Sequence, residues 1–166
     1  MKKSIQLAGL LLLLFFSACQ SNEETLDVAP VFMQQNDSLH YVLVKVKSIP
    51  IADQTEEAGS SAAEVQQLRE NLSELVKLDE AAKLRVSLIY FEQEENIKEP
   101  ILVIRRFQNL ETANRYRLVL EEKMSSNPQI EAILPIAQVN YRTVLKEKSL
   151  EGYQDYFKDQ LSSLLQ

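Results

Sequence analysis

The only cysteine of the chain follows a short apolar run, and this arrangement is typical of a thiol that becomes acylated. Two lysines near the start precede an apolar run that ends at Phe16, and two small residues then lead to Cys19. The run is too short for a transmembrane helix, and its order of charged, apolar and small residues is that of a signal peptide. We therefore predict a bacterial lipoprotein signal peptide over residues 1–18 and lipidation of Cys19, with an ordinary secretory signal as the alternative.

The other reactive residue types give little support for catalysis or metal binding. His40 is the only histidine, and no second histidine or unmodified cysteine could share a metal ion or a proton with it. The acidic segment Glu92–Glu99 lacks the residue order of a calcium-binding loop, and three glycines are few for a phosphate-binding loop. We predict a protein that is not an enzyme and binds no metal and no small-molecule substrate. Diacylglycerol and an N-acyl chain such as palmitate on Cys19 would be its only non-protein groups.

Four side chains are candidates for contacts with a partner protein: Arg105, Arg106, Tyr141 and Tyr156. The two arginines are consecutive residues of a predicted strand and therefore point to opposite faces. One of them could pair with a carboxylate of a partner, or with the acidic segment Glu92–Glu99. The aromatic group that contains Tyr141 is more typical of a core, whereas Tyr156 falls outside the helical stripe and could lie at an exposed interface.

The charge of the chain excludes some classes of partner. The net charge is −6 at pH 7, and loss of the two lysines of the signal peptide makes the mature chain more acidic. Such a chain has no basic surface for nucleic acid or anionic head groups, so the lipid would provide the attachment to the membrane. Gln20 stands where enteric lipoproteins of the inner membrane have aspartate, which favours the outer membrane.

The segment between Cys19 and the first strand is polar and predicts a flexible tether over residues 19–38. The acidic stretch that follows Gln20 resembles the surface-export signals of Bacteroidetes lipoproteins, or it is a solvated spacer. The domain could therefore face the periplasm or the cell surface. One apolar cluster, Val31–Met33, could dock weakly or stay solvated. We expect the folded domain to span residues 39–166.

Apolar periodicity and turn residues predict four strands and four helices in the domain. The long gap before the first helix and the acidic stretch after the second strand predict loops at 49–60 and 92–100. Asn109, Asn140 and Ser149 are expected to cap helices, and Pro135 places the fourth strand at an edge of the sheet. The predicted elements, in chain order, are strand Tyr41–Val46, helix Ser61–Lys77, strand Leu84–Phe91, strand Ile101–Phe107, helix Asn109–Met124, strand Ala132–Ala137, a short helix at Asn140, and a longer helix from Ser149 that carries Leu150, Tyr153, Phe157, Leu161 and Leu164.

The order β-α-β-β-α-β followed by two helices predicts an α+β fold of the ferredoxin-like (split βαβ, SPOR-like) type. In that fold a four-stranded antiparallel sheet carries two helices on one face. The two C-terminal helices must bury their apolar stripe, either on the other face or edge of the sheet or against a partner. The sequence does not decide between these two arrangements.

Three segments resemble a domain of Bacteroidetes envelope lipoproteins, the C-terminal domain of the PorW/SprE family of the type IX secretion and gliding machinery. The resemblance covers residues 39–160, although this chain has no tetratricopeptide repeat and carries an extra loop after its first strand. The matching segments are His40–Val44, Ile101–Asn109 with Ala113 and Tyr116, and Asn140–Leu150 with Tyr153, Tyr156 and Phe157.

The resemblance implies a non-catalytic, outer-membrane-anchored module that binds proteins of a secretion or gliding complex. We expect the docking surface at the sheet edge near Pro135, at the terminal helices, or at both. Two alternatives remain open. The shared topology would fit a SPOR-like peptidoglycan-binding lipoprotein with an open sheet face, and the acidic residues after Cys19 would fit a surface-exposed accessory of a nutrient-uptake complex.

Overall fold

The computed structural model describes residues 30–50, 56–77, 84–93 and 96–161. The predicted signal peptide, Cys19 and the first part of the predicted tether lie outside these residues. No helix in the described ranges is long and apolar enough to cross a membrane. The strands are β1 His40–Val46, β2 Ile49–Pro50, β3 Arg85–Gln93, β4 Ile97–Phe107 and β5 Ile130–Ala137; the helices are α1 Glu56–Lys77, α2 Leu110–Met124, α3 Gln138–Glu147 and α4 Glu151–Tyr156, which a π-helical turn, Phe157–Leu161, follows.

The described strands form one five-stranded antiparallel sheet, and the chain has an α+β fold as predicted. The central strands β1 and β4 pair with each other. The short strand β2 pairs with the start of β4 on the same side as β1, and β3 pairs along the other side of β4. β5 pairs with the other side of β1, so β3 and β5 are the outermost strands.

Both faces of the sheet are buried, which explains why the central strands have continuous apolar sequences. Val42 and Val44 of β1 point to one face and pack under α1 and α2 with a second set of residues from β4 and β5. Leu43 points to the other face, where it packs with Tyr141 of α3 and Tyr153 of α4. We call these the α1/α2 face and the α3/α4 face. The C-terminal helices therefore cover the sheet, which answers the question that the sequence left open.

The first helix and the β3–β4 hairpin are longer than the sequence predicts. Helix α1 begins at Glu56 instead of Ser61. Strand β3 continues to Gln93 and β4 begins at Ile97, so most of the predicted acidic loop is strand. Cross-strand pairing explains this result, because Glu92 lies directly opposite Lys98 and opposite charges stabilise such pairs.

The three predicted helix caps have different outcomes. The prediction for α2 is confirmed: Asn109 accepts a hydrogen bond from the Thr112 N–H at 2.9 Å in a capping box. The prediction for Asn140 is wrong, because α3 begins at Gln138 directly after β5 and Asn140 lies inside the helix. The Ser149 hydroxyl accepts a hydrogen bond from the Glu151 N–H at 3.2 Å, although the residue at the cap position of α4 is Leu150.

The outer edge of β5 is closed by side chains from both layers of helices. Pro135 lies on this outermost strand as predicted, and its carbonyl accepts a hydrogen bond of 2.7 Å from the Tyr153 hydroxyl. The Arg117 guanidinium of α2 lies 5.7 Å from the centre of the Phe157 ring, which follows α4. Side chains from opposite faces thus meet around β5, where Pro135 itself is buried, and docking of a partner at this edge or at the terminal helices stays a prediction.

Candidate functional site

Two of the four predicted contact residues, Arg105 and Tyr141, meet at one end of the α3/α4 face. Arg105 lies near the end of β4, directly opposite Tyr41 of β1. Tyr141, from the first turn of α3, packs edge-on against Tyr41 with the ring centres 5.0 Å apart and the planes at 88°. We call Arg105, Tyr41 and Tyr141 the arginine–tyrosine site. The sequence did not identify Tyr41, since it looks like an ordinary strand residue.

The guanidinium of Arg105 has an unsatisfied donor in this site. Its Nε is buried and has no hydrogen-bond partner in the described part of the chain. Burial raises the pKa of Tyr141, whereas the Arg105 charge and a hydrogen bond from its side chain act in the opposite direction. The phenol of Tyr141 therefore stays a neutral group beside a permanent cation.

A second arginine adds to the positive charge of the site. Arg85 of β3 lies directly opposite Arg105 on β4, and like charges in this arrangement destabilise a strand pair. Neither side chain forms an ion pair with a carboxylate of the described residues. The sequence did not identify Arg85, because only the register of the β3–β4 hairpin shows that the two arginines are neighbours.

The described carboxylates of the hairpin, Glu92 and Glu99, do not neutralise Arg105. Glu99 and Arg105 lie on the same strand, and six residues of strand place them about 20 Å apart. Glu92 is directed to Lys98 at the same distant end. Neither Glu92 nor Glu99 therefore pairs with Arg105, and the rest of the predicted acidic pairing segment, Glu94 and Glu95, lies outside the described residues.

Arg106 does not belong to the site. It is exposed, and its φ of 84° lies in a region that non-glycine residues rarely adopt. His40 lies opposite Phe107 and Tyr41 opposite Arg105, so Arg106 is the extra residue of a β-bulge. The bulge directs Arg106 away from Arg105, which provides a matched control for experiments on the site.

Tyr156 lies at a different place, in an aromatic cluster formed with Phe32 and Tyr153. The Phe32 ring centre is 5.2 Å from that of Tyr153 and 5.7 Å from that of Tyr156. Tyr156 is half-buried in this cluster, and burial raises its pKa. The apolar cluster of the predicted tether is thus partly docked. Phe32 packs on α4, whereas its neighbour Val31 is 74% exposed.

The segment around Phe32 is attached to the domain along its length, and we call residues 30–39 the strap. The Asn140 side chain binds the backbone of Met33 through two hydrogen bonds. The Asn36 carbonyl accepts a hydrogen bond from the Leu110 N–H at 2.9 Å, and the Leu39 carbonyl accepts one from the Gln138 N–H at 2.8 Å. The strap therefore contacts α2, α3 and α4.

A separate polar cluster, formed by Lys45, Glu99 and Glu131, lies at the opposite end of the α3/α4 face. The Lys45 ammonium is 3.6 Å from the Glu99 carboxylate and 3.3 Å from that of Glu131, and it donates a 3.4 Å hydrogen bond to Gln154. Glu99 is buried, and this burial raises its pKa although Lys45 acts in the opposite direction. The described residues contain no group of histidine, cysteine and acidic side chains suited to a metal ion.

In comparisons with known proteins, no protein-family model, no curated protein and no solved structure matches the chain. The arginine–tyrosine site is the place where the predicted contact residues converge with an unsatisfied charge. Its chemistry is recognition of an anion: a guanidinium donates to a carboxylate, and phenol hydroxyls can add further hydrogen bonds.

Proposed function

We propose that the protein is a lipid-anchored adaptor of the outer membrane that binds a carboxylate of an envelope protein at the arginine–tyrosine site. Its partners would belong to a multiprotein envelope complex, with the type IX secretion or gliding machinery as the leading candidate because of the sequence resemblance. The observation that carries the proposal is the half-buried guanidinium of Arg105, which lies opposite Arg85 and forms no ion pair with a carboxylate of the described residues.

An unsatisfied charged donor is unfavourable in the isolated molecule and favourable in a complex. Leaving a buried donor without an acceptor costs about 1–3 kcal/mol, and more when the group is charged. A carboxylate accepts two parallel hydrogen bonds from an arginine in a planar arrangement, which gives both binding energy and orientation. The same arrangement does not require a reaction, so it supports a binding role without catalysis.

The docked strap supports an action close to the membrane. The side chains of Pro30 and Phe32 lie beside Gly152 of α4, so the strap is already part of the domain at these residues. Ten residues lie between Cys19 and Pro30, so the two are at most about 40 Å apart in a fully extended chain. Lipidation of Cys19 would therefore hold the domain in a thin layer and raise its effective concentration for membrane partners.

We also propose that the fold follows the ferredoxin-like, split βαβ plan. The strand order β5-β1-β4-β3 supports this assignment, as does the packing of α1 and α2 on the same face. In this interpretation β2 is a short continuation of β1 beyond an interruption at residues 47–48, and α3 and α4 are additions that cover the second face.

The covered α3/α4 face argues against the alternative of a SPOR-like peptidoglycan binder. That mode needs an open aromatic or polar sheet face, whereas here α3 and α4 cover this face and bury Tyr141 and Tyr153 against it. The alternative of a surface-exposed accessory of nutrient uptake depends on residues 20–24, which lie outside the described residues. Protease treatment of intact cells tests it, since resistance of the domain would place it in the periplasm.

Co-purification with matched variants tests the binding function. The tagged full-length lipoprotein is purified from native membranes, and the associated envelope proteins are quantified by mass spectrometry. We expect a stoichiometric envelope partner with the natural chain and with Arg106→Gln, and at least a tenfold loss with Arg105→Gln. The absence of a stoichiometric partner, or equal recovery with Arg105→Gln, would contradict the proposal.

The assignment to a secretion or gliding complex needs a separate experiment. A strain without the protein is complemented with the natural chain, with Arg105→Gln or with Arg106→Gln, and secretion through the type IX pathway and colony spreading are measured. We expect rescue by the natural chain and by Arg106→Gln only. Normal secretion and spreading in the strain without the protein would overturn this assignment. The binding function would still be tested separately by co-purification.

A further inference from the structure

We propose that the carboxylate of the partner is the C-terminus of an extended segment, which pairs with the outer edge of β3 as an additional antiparallel strand. In this arrangement, which rests on the proposed function, the carboxylate bound near Arg105 is a chain terminus and not a side chain. Three features of the described residues carry the proposal: the backbone of β3 is open on its outer side, the centre of β3 is apolar, and two arginines without ion pairs lie at its first residue.

The backbone of β3 is open on its outer side in the described part of the chain. The nine residues Arg85–Gln93 pair with β4 on their inner side without a bulge. No backbone hydrogen bond from a described loop or helix reaches their outer side. Edge strands are commonly protected by a proline, a bulge or a lysine, and the central residues Val86–Tyr90 carry none of these. An extended segment can therefore add a row of backbone hydrogen bonds here.

The side chains at the centre of β3 are only partly covered. Val86 and Leu88 pack on the α1/α2 face and Ile89 on the α3/α4 face, and all three are half-buried although they are apolar. Tyr90 is 39% exposed. On the other outermost strand, by contrast, the consecutive residues Ile133–Ala137 are all buried. Apolar side chains of an added strand would remove this surface of β3 from water, which favours binding.

The charge at the start of β3 selects a carboxylate and the direction of the added strand. Arg85 is the first residue of β3 and is exposed, and Arg105 lies directly opposite it. Neither arginine forms an ion pair with a described carboxylate. An antiparallel strand on β3 ends beside Arg85, whereas a parallel strand would begin there and place a positively charged or neutral N-terminus beside two cations. Charge complementarity therefore favours antiparallel pairing by a segment that ends in a carboxylate.

The available edge stops at Arg85, which favours a chain terminus over an internal acidic residue. Leu84 lies outside β3, and on β4 the residue after Arg105 is the exposed bulge residue Arg106. A segment that continued beyond Arg85 would leave the sheet without further strand pairing. A segment that ends there uses all of its backbone groups up to the carboxylate.

Both arginines can contact the same carboxylate. Arg105 lies between Tyr41 and Arg85 in the register of the sheet, and all three side chains point to the α3/α4 face. Adjacent strands are about 4.8 Å apart, which is less than the length of an arginine side chain. A terminal carboxylate that turns onto this face therefore lies within reach of the exposed Arg85 and the half-buried Arg105, and each guanidinium can donate to it.

A peptide array tests the proposal with the tagged full-length lipoprotein, purified in detergent micelles. Short random peptides are attached through their N-termini, each once with a free C-terminal carboxylate and once with a C-terminal amide. We expect binding to apolar-rich peptides, at least tenfold weaker for the amide than for the carboxylate. Arg85→Gln should lose this preference, and it should fold because it removes a like charge beside Arg105. Arg106→Gln, which changes a nearby exposed arginine, should retain the preference.

Two further measurements locate the bound peptide on the edge of β3. Amide hydrogen exchange of β3 should slow when a bound peptide from the array is added, while exchange of β5 stays constant. Methylation of alternate backbone nitrogens of the peptide should abolish binding in one of the two alternating sets only, because every second N–H of an added strand faces its neighbour.

Several outcomes would overturn the inference. These are the absence of bound peptides, equal binding of carboxylates and amides, a dependence on internal acidic residues only, an unchanged preference in Arg85→Gln, and protection outside β3. Protection of β3 that rises with protein concentration without peptide would instead show a second copy on this edge. The proposed function is judged separately: a stoichiometric partner that is lost with Arg105→Gln in co-purification supports the adaptor role even if the terminal carboxylate proves wrong.

Discussion

Asn140 binds the backbone of Met33 through both ends of its side-chain amide. Its Oδ1 accepts a hydrogen bond from the Met33 N–H at 3.0 Å, and its Nδ2 donates to the Met33 carbonyl at 2.8 Å. Asn140 is buried in α3, so these two bonds join the strap to the body of the domain. Asparagine and glutamine are the side chains that provide both a carbonyl acceptor and an amide donor.

Asn140→Asp is expected to destabilise the fold by about 1–3 kcal/mol, because the Met33 carbonyl loses its donor and faces a carboxylate. The free energy of unfolding, measured in urea at pH 7, checks this expectation. Asn71→Asp, on the exposed side of α1, provides the control and should change the stability by less than about 0.5 kcal/mol. Equal effects of the two changes would show that the strap is not held by Asn140.

Phe32→Ala is expected to destabilise the fold by about 1–3 kcal/mol, because it removes a half-buried ring that packs edge-on against Tyr153. Limited proteolysis should also become faster within the strap, since its main apolar contact is lost. Val31→Ala changes the neighbouring residue, which is 74% exposed, and should have little effect on either measurement. Similar proteolysis rates of the two variants would contradict docking of Phe32.

The stability should fall as the pH is lowered below about 6.5 because of His40. This residue is 2% exposed, and burial lowers its pKa, while hydrogen bonds to the backbone of Ser38 and Gln35 act in the opposite direction. Since the folded pKa is below the unfolded value, the unfolded chain binds more protons in this range, and acidification favours unfolding.

His40→Asn keeps a side-chain donor for the Ser38 carbonyl, which His40 contacts at 2.7 Å, and removes the titration. The difference in unfolding free energy between the natural chain and this variant should depend on pH below 6.5 and be constant above pH 8. The histidine signals in NMR spectra report the folded pKa directly, because the chain has a single histidine. A folded pKa at or above 6.5 would contradict the prediction.

Glu99 should have the opposite effect of pH on stability. Burial raises its pKa above the ordinary value, so the folded state binds more protons and stability falls as the pH rises through the acid range. Lys45→Met should cost about 2–4 kcal/mol at pH 7, because a buried carboxylate loses its cation. This cost should shrink towards pH 4, where Glu99 is protonated.

Two controls accompany the experiment on Lys45. Lys47→Met changes an exposed lysine that follows β1 and should alter the stability by less than about 0.5 kcal/mol at either pH. In a Glu99→Gln background, Lys45→Met should lose most of its dependence on pH, because Glu131 is more exposed than Glu99. A cost of Lys45→Met that is independent of pH would refute the role of Glu99.

Local sequence signals predicted the elements that depend on local chemistry. The Val42–Val44 segment is β-branched and apolar, and Asn109 offers a capping side chain in front of an amphipathic segment. The prediction failed where distant residues decide the outcome. Asn140 has the side chain of a helix cap, but Met33, 107 residues away, takes its hydrogen bonds. The three-residue spacing of Val119 from Tyr116 favours its burial on α2, yet Val119 is 39% exposed, because α2 has no partner on that side in the described residues.

Only the individual residues of the candidate site were predictable, because their proximity also depends on distant parts of the chain. Arg105 and Tyr141 were identified as residues of unusual chemistry, but their meeting depends on the position of α3 on the sheet. The position of Arg85 beside Arg105 follows only from the register of the β3–β4 hairpin. That register could not be predicted, because the acidic segment resembles a long loop. Glu99 was assigned to that loop, although its position opposite Phe91 on the hairpin buries it beside Lys45.

The closure of β5 by Pro135 and Tyr153 also limits how far association can proceed. A sheet with two open edges can add molecules at both ends and grow into a fibre. Here the Tyr153 hydroxyl occupies the carbonyl of Pro135, and proline has no N–H to donate, so the β5 edge is a poor template for a further strand. Even at high protein concentration, growth of the sheet across the β5 edge is therefore disfavoured.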